Sequence, residues 1–558
     1  MKEFIKKYKL LIIICLIFVI LEIIMDLLLP LILSDTINVG ILNHDRNYVI
    51  GNIIIMFIVL FVGIIGSILS TYISSKISSN FSYELRDKLI KKILKLKYKE
   101  IDTINVGHTV TLLTDDISNI ENIIFLVLKI IIKVPLVIIG SIILCLSISI
   151  KMSSILLIVI PIIIIISIIF IKKTYPYFNL TSESLDLINS NVRENINNIK
   201  LVKSNNKEIY EKKKFDKINK QYRNIDTKAL KTISLMMPII IFIINITTII
   251  ILLLSKNEIN NGFLIGNVTA FIEYINLLLT SIISTSMIFL LTIQSSVSIK
   301  RIKNLLNKEI EMNNEGLNKH LKGNIEFKNV YFSYNDQYNL ENINLKINSG
   351  EKVAIIGTSG SGKSTLINLI KRNYNINKGN ILIDNIDIND YELNSLKNNI
   401  LIVNQKSNLF KNTIDNNLKF NKKVDISKYI DMTLSNKVIN KKDKNINYLI
   451  EQNGKNLSGG EKQRLILCRS LIIDPDILIL DDSLSAVDLK TEEKIINDLL
   501  SNYKNKTIIF ITNRIKSIKN FDKIILLDNG KIKKIGTHKE LLDDKLYYEL
   551  YNVGGIYE

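Results

Sequence analysis

Cysteine and histidine are scarce in this chain, whose 558 residues include three cysteines and four histidines. The cysteines form no Cys-x-x-Cys pair, and Cys15 and Cys145 lie within apolar runs. No two histidines have the spacing of metal ligands. We therefore expect neither a disulfide framework nor a zinc site. We also expect no cleavable signal, because the apolar run after the basic segment 1–9 is too long and lacks a small-residue cleavage site.

The composition is apolar and basic. Hydrophobic residues make up 47% of the chain, charged residues 22%, and the formal charge is +19. Disordered chains have lower hydrophobicity, so this class is excluded. A charge of this size indicates either nucleic-acid binding or a membrane protein with basic cytoplasmic loops.

Six apolar runs in the first half predict membrane spans. Each has about 19–28 residues, enough to cross a hydrocarbon core of ~30 Å at 1.5 Å per residue. Helices of a soluble bundle would show polar faces, and the run 155–171 has none. The predicted spans are 10–33, 48–73, 123–150, 153–171, 232–254 and 267–293.

Lysine and arginine concentrate in the N-terminal tip and in the long linkers after the second and fourth spans. The positive-inside rule places these segments and the C-terminal half in the cytoplasm, so the charge needs no nucleic-acid partner. Both linkers read as helical, with turning points at 98–107 and 205–210. We therefore predict a six-helix, all-α transmembrane domain with long cytoplasmic helical extensions over 1–315.

Five ionisable residues fall inside the predicted spans: Glu22, Asp26, Lys129, Lys133 and Glu273. Such groups cost several kcal/mol if they face lipid. Salt bridging between helices, a polar translocation surface and snorkelling to an interface each explain them. The sequence leaves these alternatives open.

A phosphate-binding motif begins the chemistry of the second half. An apolar strand at 353–356 precedes a GxxxxGK[ST] sequence, the P-loop. Its backbone N–H groups curl around phosphate, and the following helix directs its N-terminal dipole at the anion. Lys363 would contact the β- and γ-phosphates, and Ser364 would ligate Mg²⁺. The P-loop residues are Gly357, Thr358, Ser359, Gly360, Ser361, Gly362, Lys363, Ser364 and Thr365.

A second apolar strand, 477–481, ends in a carboxylate, so Asp481 suits the Mg²⁺ shell and Asp482 the position of a general base. Between the two motifs, Leu457 precedes Ser458, Gly459, Gly460 and Glu461, a Ser-Gly-Gly sequence typical of an anion-binding helix N-terminus. This LSGGE sequence resembles the signature of ATP-binding cassette (ABC) transporters. The order of motifs behind six spans resembles an ABC exporter half-transporter.

The resemblance implies an α/β P-loop NTPase cassette with a helical subdomain over 316–558, which uses ATP and Mg²⁺. By the same resemblance, Tyr334 stacks on adenine and Gln405 is the Q-loop glutamine that senses Mg²⁺. The D-loop is the sequence Ser485, Ala486, Val487 and Asp488. The family further implies a second half-transporter as partner, with each ATP held between one P-loop and the other chain's signature. The two turning points resemble coupling helices.

Two positions depart from the family pattern. Asp482 stands where the family usually has a catalytic glutamate, and Asn513 where it usually has a histidine. Both changes weaken the hydrolytic machinery, because placement of the attacking groups is demanding. The signature is intact, which resembles the degenerate subunit of heterodimeric exporters.

The alternatives are a homodimeric exporter with slow hydrolysis and an ATP-gated regulator that does not pump. A soluble cassette for nucleic-acid work is excluded by the spans. We therefore expect an ATPase of a bacterial cell membrane that exports a small molecule, lipid or peptide.

Overall fold

The computed structural model describes residues 2–260, 264–311, 315–405, 408–420, 424–440 and 445–556. The chain divides into two compact units. One comprises Met1–Lys95 and Ile104–Lys308, and the other Leu96–Thr103 and Glu309–Glu558. The first unit is helical, whereas the second combines sheets with helices, as the sequence predicts. The short segment Leu96–Thr103 groups with the second unit, although the sequence alone assigns it to the membrane domain. The domain division at 315/316 stays a prediction.

Among the described residues, six helices are long and apolar enough to cross a membrane: Lys9–Ile41, Arg46–Ile93, Val106–Ile148, Ile150–Asn197, Glu208–Lys256 and Ile265–Ser284. We call these the first to sixth membrane helices. Helices suit an apolar medium because every backbone polar group is bonded within the segment. A π-helical turn, Thr36–Ile41, ends the first of them, and two more, Leu112–Asp116 and Val127–Ile131, interrupt the third.

Three helices extend well beyond a bilayer. Arg46–Ile93 has 48 residues, Leu156–Asn197 has 42 and Glu208–Asn260 has 53. At 1.5 Å per residue each is more than about 60 Å long, twice the hydrocarbon thickness. The predicted helical extensions are therefore confirmed. A short helix, Tyr98–Asp102, lies within the first predicted turning point. At the second, the short helix is Ile199–Ser204, just ahead of the predicted range.

Ion pairing accounts for part of the charge inside the spans. The Lys133 ammonium lies 2.8 Å from the Glu22 carboxylate and 2.9 Å from that of Asp26. Lys129 instead donates to the Ser67 carbonyl at 3.3 Å and to the hydroxyl of Thr71. Salt bridging is therefore confirmed for Lys133, whereas Lys129 is held by hydroxyl and carbonyl oxygens of the second membrane helix.

The second unit is built around a six-stranded sheet of order β12-β11-β3-β10-β9-β6, whose strands run parallel except for β12. A four-stranded antiparallel sheet, β2-β1-β4-β5, and a small β7-β8 pair complete it. The strands are β1 Ile325–Phe332, β2 Leu340–Ile347, β3 Lys352–Gly357, β4 Lys378–Ile383, β5 Ile386–Asp387, β6 Ile400–Val403, β7 Asn412–Thr413, β8 Leu449–Ile450, β9 Ile477–Asp481, β10 Thr507–Ile511, β11 Lys523–Asp528 and β12 Lys531–Gly536.

Both faces of the large sheet are covered, one by helices and the other by the helix Lys363–Ile370 together with the four-stranded sheet. Its parallel strands are nearly continuous apolar runs, as expected for strands buried on both sides. The longer helices of this unit are Lys363–Ile370, Leu393–Asn399, Gly459–Leu471, Leu489–Asn502 and Lys545–Ile556. Ligands of such sheets bind at the carboxyl ends of the strands, which is where β3, β9 and β10 present their loops.

Candidate functional site

The P-loop joins β3 to the helix Lys363–Ile370. Gly360 and Gly362 have φ of 83° and 99°, values that side-chain-bearing residues rarely adopt. A Cβ at Gly362 would also lie 2.8 Å from the Leu340 side chain. Glycine at these positions lets the loop curl, so that its N–H groups and the helix N-terminus face a common anion site.

The P-loop lysine and serine lie beside the end of β9. The Lys363 ammonium donates to the carbonyls of Gly357 and Thr358, each at 2.8 Å. The Ser364 hydroxyl donates to the Asp481 carboxylate at 3.0 Å. Burial lowers the pKa of Lys363 and raises that of Asp481, while their mutual attraction opposes both shifts. The hydroxyl and the carboxylate are oxygen donors of the kind Mg²⁺ prefers, so the pair fits a magnesium site.

Asp482 occupies the tight turn that follows β9. Its φ is 48°, and its backbone N–H donates to the Ile511 carbonyl at 2.9 Å. The Gln405 side-chain amide donates to the Asp482 carboxylate at 2.8 Å. Burial raises the pKa of this carboxyl, and the nearby Arg514 charge opposes the shift. The candidate base is thus bonded to the predicted Q-loop glutamine.

These groups surround one cavity of about 600 Å³. Its lining includes the predicted residues Ser359–Thr365, Gln405, Asp481, Asp482 and Asn513. Gly357 and Thr358 are not among the lining residues, but their carbonyls accept hydrogen bonds from Lys363. Sequence reasoning missed Tyr338, Asn339, Ile511, Thr512, Asn529 and Gly530, which also line the cavity. Asp482 and Asn513 therefore face the P-loop together.

Two tyrosines compete for the role of base-stacking residue. Tyr334 is 40% exposed, but it packs edge-on against Phe332 and Tyr374, with ring centroids 4.8 and 5.1 Å apart. Tyr338, four residues later, lines the cavity itself. The signal in the sequence that could have indicated Tyr338 is its position only four residues after Tyr334. The stacking role of Tyr334 stays a prediction.

The signature residues are not among those that line this cavity in the described part of the chain. Ser458 caps the helix Gly459–Leu471 in a capping box with Glu461, with bonds of 2.9 and 3.3 Å. This box uses both side chains to satisfy backbone N–H groups at the helix start. Gly459 and Gly460 remain as a bare helix N-terminus, suited to an anion.

The predicted D-loop packs against the signature helix. A Cβ at Gly460 would lie 2.9 Å from the Ala486 carbonyl oxygen. Gln463 accepts from the Ala486 N–H at 2.8 Å and donates to the Ser485 hydroxyl at 3.2 Å. Asp488 caps the next helix through the Thr491 N–H at 3.0 Å. The signature helix and the D-loop thus form one continuous surface.

Comparison with known proteins matches both units. Residues 12–314 match the family model described as "ABC transporter transmembrane region", and 340–485 match that described as "ABC transporter". An uncharacterised ABC transporter ATP-binding protein, YfiB of Bacillus subtilis, is 33% identical over 475 residues, which are 84% of this chain and 82% of that protein.

Other relatives extend the comparison. An ATP-dependent lipid A-core flippase of Idiomarina loihiensis is 33% identical over 66% of this chain and 65% of its own. A solved structure of a bacterial Atm1-family ABC exporter with ATP bound has a TM-score of 0.87 at 21% identity and covers 98% of each chain. The fold is therefore that of this exporter, unit for unit.

Proposed function

The chain belongs to the ABC transporters, as an exporter-type half-transporter and a multi-pass protein of the cell membrane, and from that premise we propose that it is the degenerate subunit of a heterodimeric exporter. ABC exporters act as dimers that use ATP to drive transport. In this proposal the chain binds ATP and Mg²⁺ at its own P-loop, hydrolyses ATP slowly there, and completes the partner's site with its signature.

The observation that carries the proposal is the presence of Asp482 and Asn513 together in the P-loop cavity. An aspartate carboxylate lies about 1.5 Å further from the nucleophile than a glutamate carboxylate would, which is costly for near-attack geometry. The Gln405 bond also holds this carboxylate. Asn513 has no imidazole with which to contact a γ-phosphate or exchange a proton. Both weaknesses affect one site.

The intact signature supports the second part of the proposal. Gly459 and Gly460 have no side chains that would cover the helix N-terminus. The capping box of Ser458 and Glu461 fixes where this helix starts. An exposed helix N-terminus with N–H groups favours a phosphate by its dipole and its unpaired donors. Such a preformed anion surface serves a γ-phosphate held by the partner's P-loop.

At its own site the chain would bind and orient ATP. The P-loop N–H groups would hold the β- and γ-phosphates, and Lys363 would turn from its carbonyl partners toward them. Ser364, Asp481 and Gln405 would hold Mg²⁺, which neutralises phosphate charge when bound. Asp482 would accept a proton from the attacking water, from a distance that makes this step slow.

The experiment is an asymmetry test, which compares the effects of changing this chain's own P-loop site and of changing its signature. It uses the complex of this chain with a second half-transporter that has Glu and His at the two departing positions. Asp482→Asn is expected to lower steady-state phosphate release less than twofold. Gly459→Asp is expected to lower it at least tenfold, because its carboxylate repels phosphate. The fold tolerates this change, since an acid in the first helical turn is favourable and the new Cβ meets only the Ala486 methyl, at 3.1 Å.

The reverse pattern, with a large loss from Asp482→Asn and none from Gly459→Asp, would contradict the proposal. A stable homodimer that hydrolyses ATP slowly would instead favour the homodimeric exporter. A chain that binds ATP and drives no transport in either assembly would favour the regulator.

A further inference from the structure

The sixth membrane helix has a polar exposed face. Across Gly266–Ser284, no large apolar side chain is exposed. The exposed positions are Glu273, Thr280 and Ser284, and the half-buried Thr269 and Asn276 lie on the same helical stripe. Half of this helix is buried, against 11–22% of the other five. The open face is therefore a narrow polar strip on an otherwise buried helix.

The other membrane helices expose large apolar side chains, as lipid requires. On the first, the exposed stripe is Leu10, Ile13, Ile17, Ile20 and Ile24. A polar strip with a carboxylate would cost several kcal/mol in the same environment. Glu273 forms no hydrogen bond or ion pair with any described residue. The strip is therefore unsuited to face lipid.

A second carboxylate lies at the same level. The Tyr274 hydroxyl donates to the Leu27 carbonyl at 2.7 Å, so the residues before these two, Glu273 and Asp26, are at a similar depth. Glu273 is about 12 Å along its helix from Ile265, and Asp26 about 13 Å from Asp35, at 1.5 Å per residue. Both lie well inside the hydrocarbon region.

Asp26 also points away from the lipid-facing stripe. At 3.6 residues per turn, Glu22 and Asp26 lie about 160° around the first helix from Ile24. Glu22 is 10% exposed, but Asp26 is 36% exposed despite its bond to Lys133. Among the ion-paired residues Glu22, Asp26 and Lys133, the most exposed is thus the Asp26 carboxylate, on the side of the helix opposite the lipid-facing stripe.

The charges at this level favour a cation. Glu22, Asp26 and Glu273 are three acids, whereas Lys133 is shared by the first two and Lys129 is bonded to the second helix. We propose that the strip lines an aqueous path, where Glu273 and the open edge of Asp26 bind the positively charged group of an amphiphilic substrate. This inference rests on the proposed export function and names its substrate class as cationic amphiphiles. Apolar surroundings strengthen such an attraction.

Thiol labelling tests the aqueous path. The native cysteines Cys15, Cys145 and Cys468 are all buried, which leaves a low background. In membranes without nucleotide, Glu273→Cys is expected to react with a charged methanethiosulfonate reagent, and tetraphenylphosphonium is expected to slow that reaction at least threefold. Phe57→Cys, on the exposed apolar face of the second helix, should not react. An unreactive Glu273→Cys, or equal reaction at both positions, would overturn the proposal.

Binding of two probes of similar size tests the sign of the charge. The purified complex is expected to bind tetraphenylphosphonium and not tetraphenylborate. Glu273→Gln should weaken the cation's affinity at least tenfold, while Glu273→Asp retains most of it and so separates loss of charge from misfolding. Glu183→Gln, an exposed carboxylate outside the strip, is the matched control and should leave affinity unchanged. Unaltered affinity in Glu273→Gln, or preference for the anion, would overturn the proposal.

Neither experiment requires ATP hydrolysis. Failure of labelling and cation binding would therefore leave the degenerate-site proposal intact. Failure of the asymmetry test would likewise leave the substrate class standing.

Discussion

At the scale of single residues, the backbone at position 482 helps to explain why an aspartate fits there. Its φ of 48° lies in the left-handed region, which aspartate tolerates better than most residues with a side chain. The turn is also held by the bond from its N–H to the Ile511 carbonyl. The slow hydrolysis proposed for this site would therefore come from the reach of the side chain and from Asn513, and not from a poorly formed turn.

The residue-scale prediction is restoration of hydrolysis. In the chain purified alone, Asp482→Glu combined with Asn513→His is expected to raise phosphate release at least tenfold, because the carboxylate gains reach and an imidazole enters the cavity. Asp482→Glu alone or Asn513→His alone should raise phosphate release by less than the double change does. Asn513→Gln, which keeps an amide, is the control and should leave the rate unchanged. A double variant as slow as the parent would contradict this prediction.

At the scale of elements, one lysine fastens several loops of the cassette. The three N–H groups of the Lys352 ammonium are shared among four carbonyls, those of Gly350, Tyr503, Lys504 and Lys506, at 2.6–3.1 Å. Lys352 thereby ties the start of β3 to the chain between the helix Leu489–Asn502 and β10. Burial lowers the pKa of this lysine, and nearby Asp522 opposes that shift.

Lys352→Met is expected to destabilise the cassette by about 2 kcal/mol, since hydrogen bonds from a charged group contribute about 1.5–3 kcal/mol and the carbonyls lose their donor. For a domain of this size, that corresponds to a midpoint of thermal unfolding lower by roughly 4–8 °C. A thiol-reactive fluorophore can report unfolding through Cys468, because burial raises the pKa of its thiol to about 12 in the folded unit. Lys494→Met, on an exposed helix position, should melt like the parent; equal melting of both variants would contradict the assignment.

The segment Leu96–Thr103 is the other informative element. Tyr374 donates to the Asp102 carboxylate at 2.5 Å, and its ring lies 5.1 Å from that of Tyr334 near the nucleotide cavity. A charge-assisted bond of this kind is about twice as strong as a neutral one. It connects the nucleotide side of the cassette to the chain segment between the second and third membrane helices.

Tyr374→Phe removes this bond and keeps the ring. We expect transport in proteoliposomes to fall at least threefold relative to ATP hydrolysis, because the link to Leu96–Thr103 is weakened. Tyr338→Phe, which changes a hydroxyl near the cavity without touching Asp102, should keep the ratio. Proportional losses in both activities would argue against a coupling role.

At the scale of the whole molecule, the sequence supplied what is local along the chain. The six spans, the P-loop, β9 and the signature helix follow from hydropathy and glycine spacing, which need no distant contact. The pairing of Lys133 with Glu22 and Asp26, the cavity position of Tyr338 and the membership of Leu96–Thr103 in the cassette unit depend on contacts between distant positions. Neither hydropathy nor residue spacing along the chain encodes such contacts.

The whole-molecule prediction concerns assembly. Because the proposed function gives this chain one weak site and one intact signature, we expect it to purify as a 1:1 complex with a second half-transporter that has Glu and His at the departing positions. Native mass spectrometry of the detergent-solubilised complex checks the stoichiometry. Recovery of a stable homodimer alone, in cells that also express the other half-transporter, would count against the assignment.

The central claim is that this chain's own P-loop site is impaired and needs a complementary partner. The most direct measurement is the steady-state ATPase rate of the chain purified alone, compared with that of its complex at equal ATP and Mg²⁺. We expect the rate of the chain alone to be at least tenfold below that of the complex. Full activity without a partner, unaffected by Asp482→Asn, would contradict it.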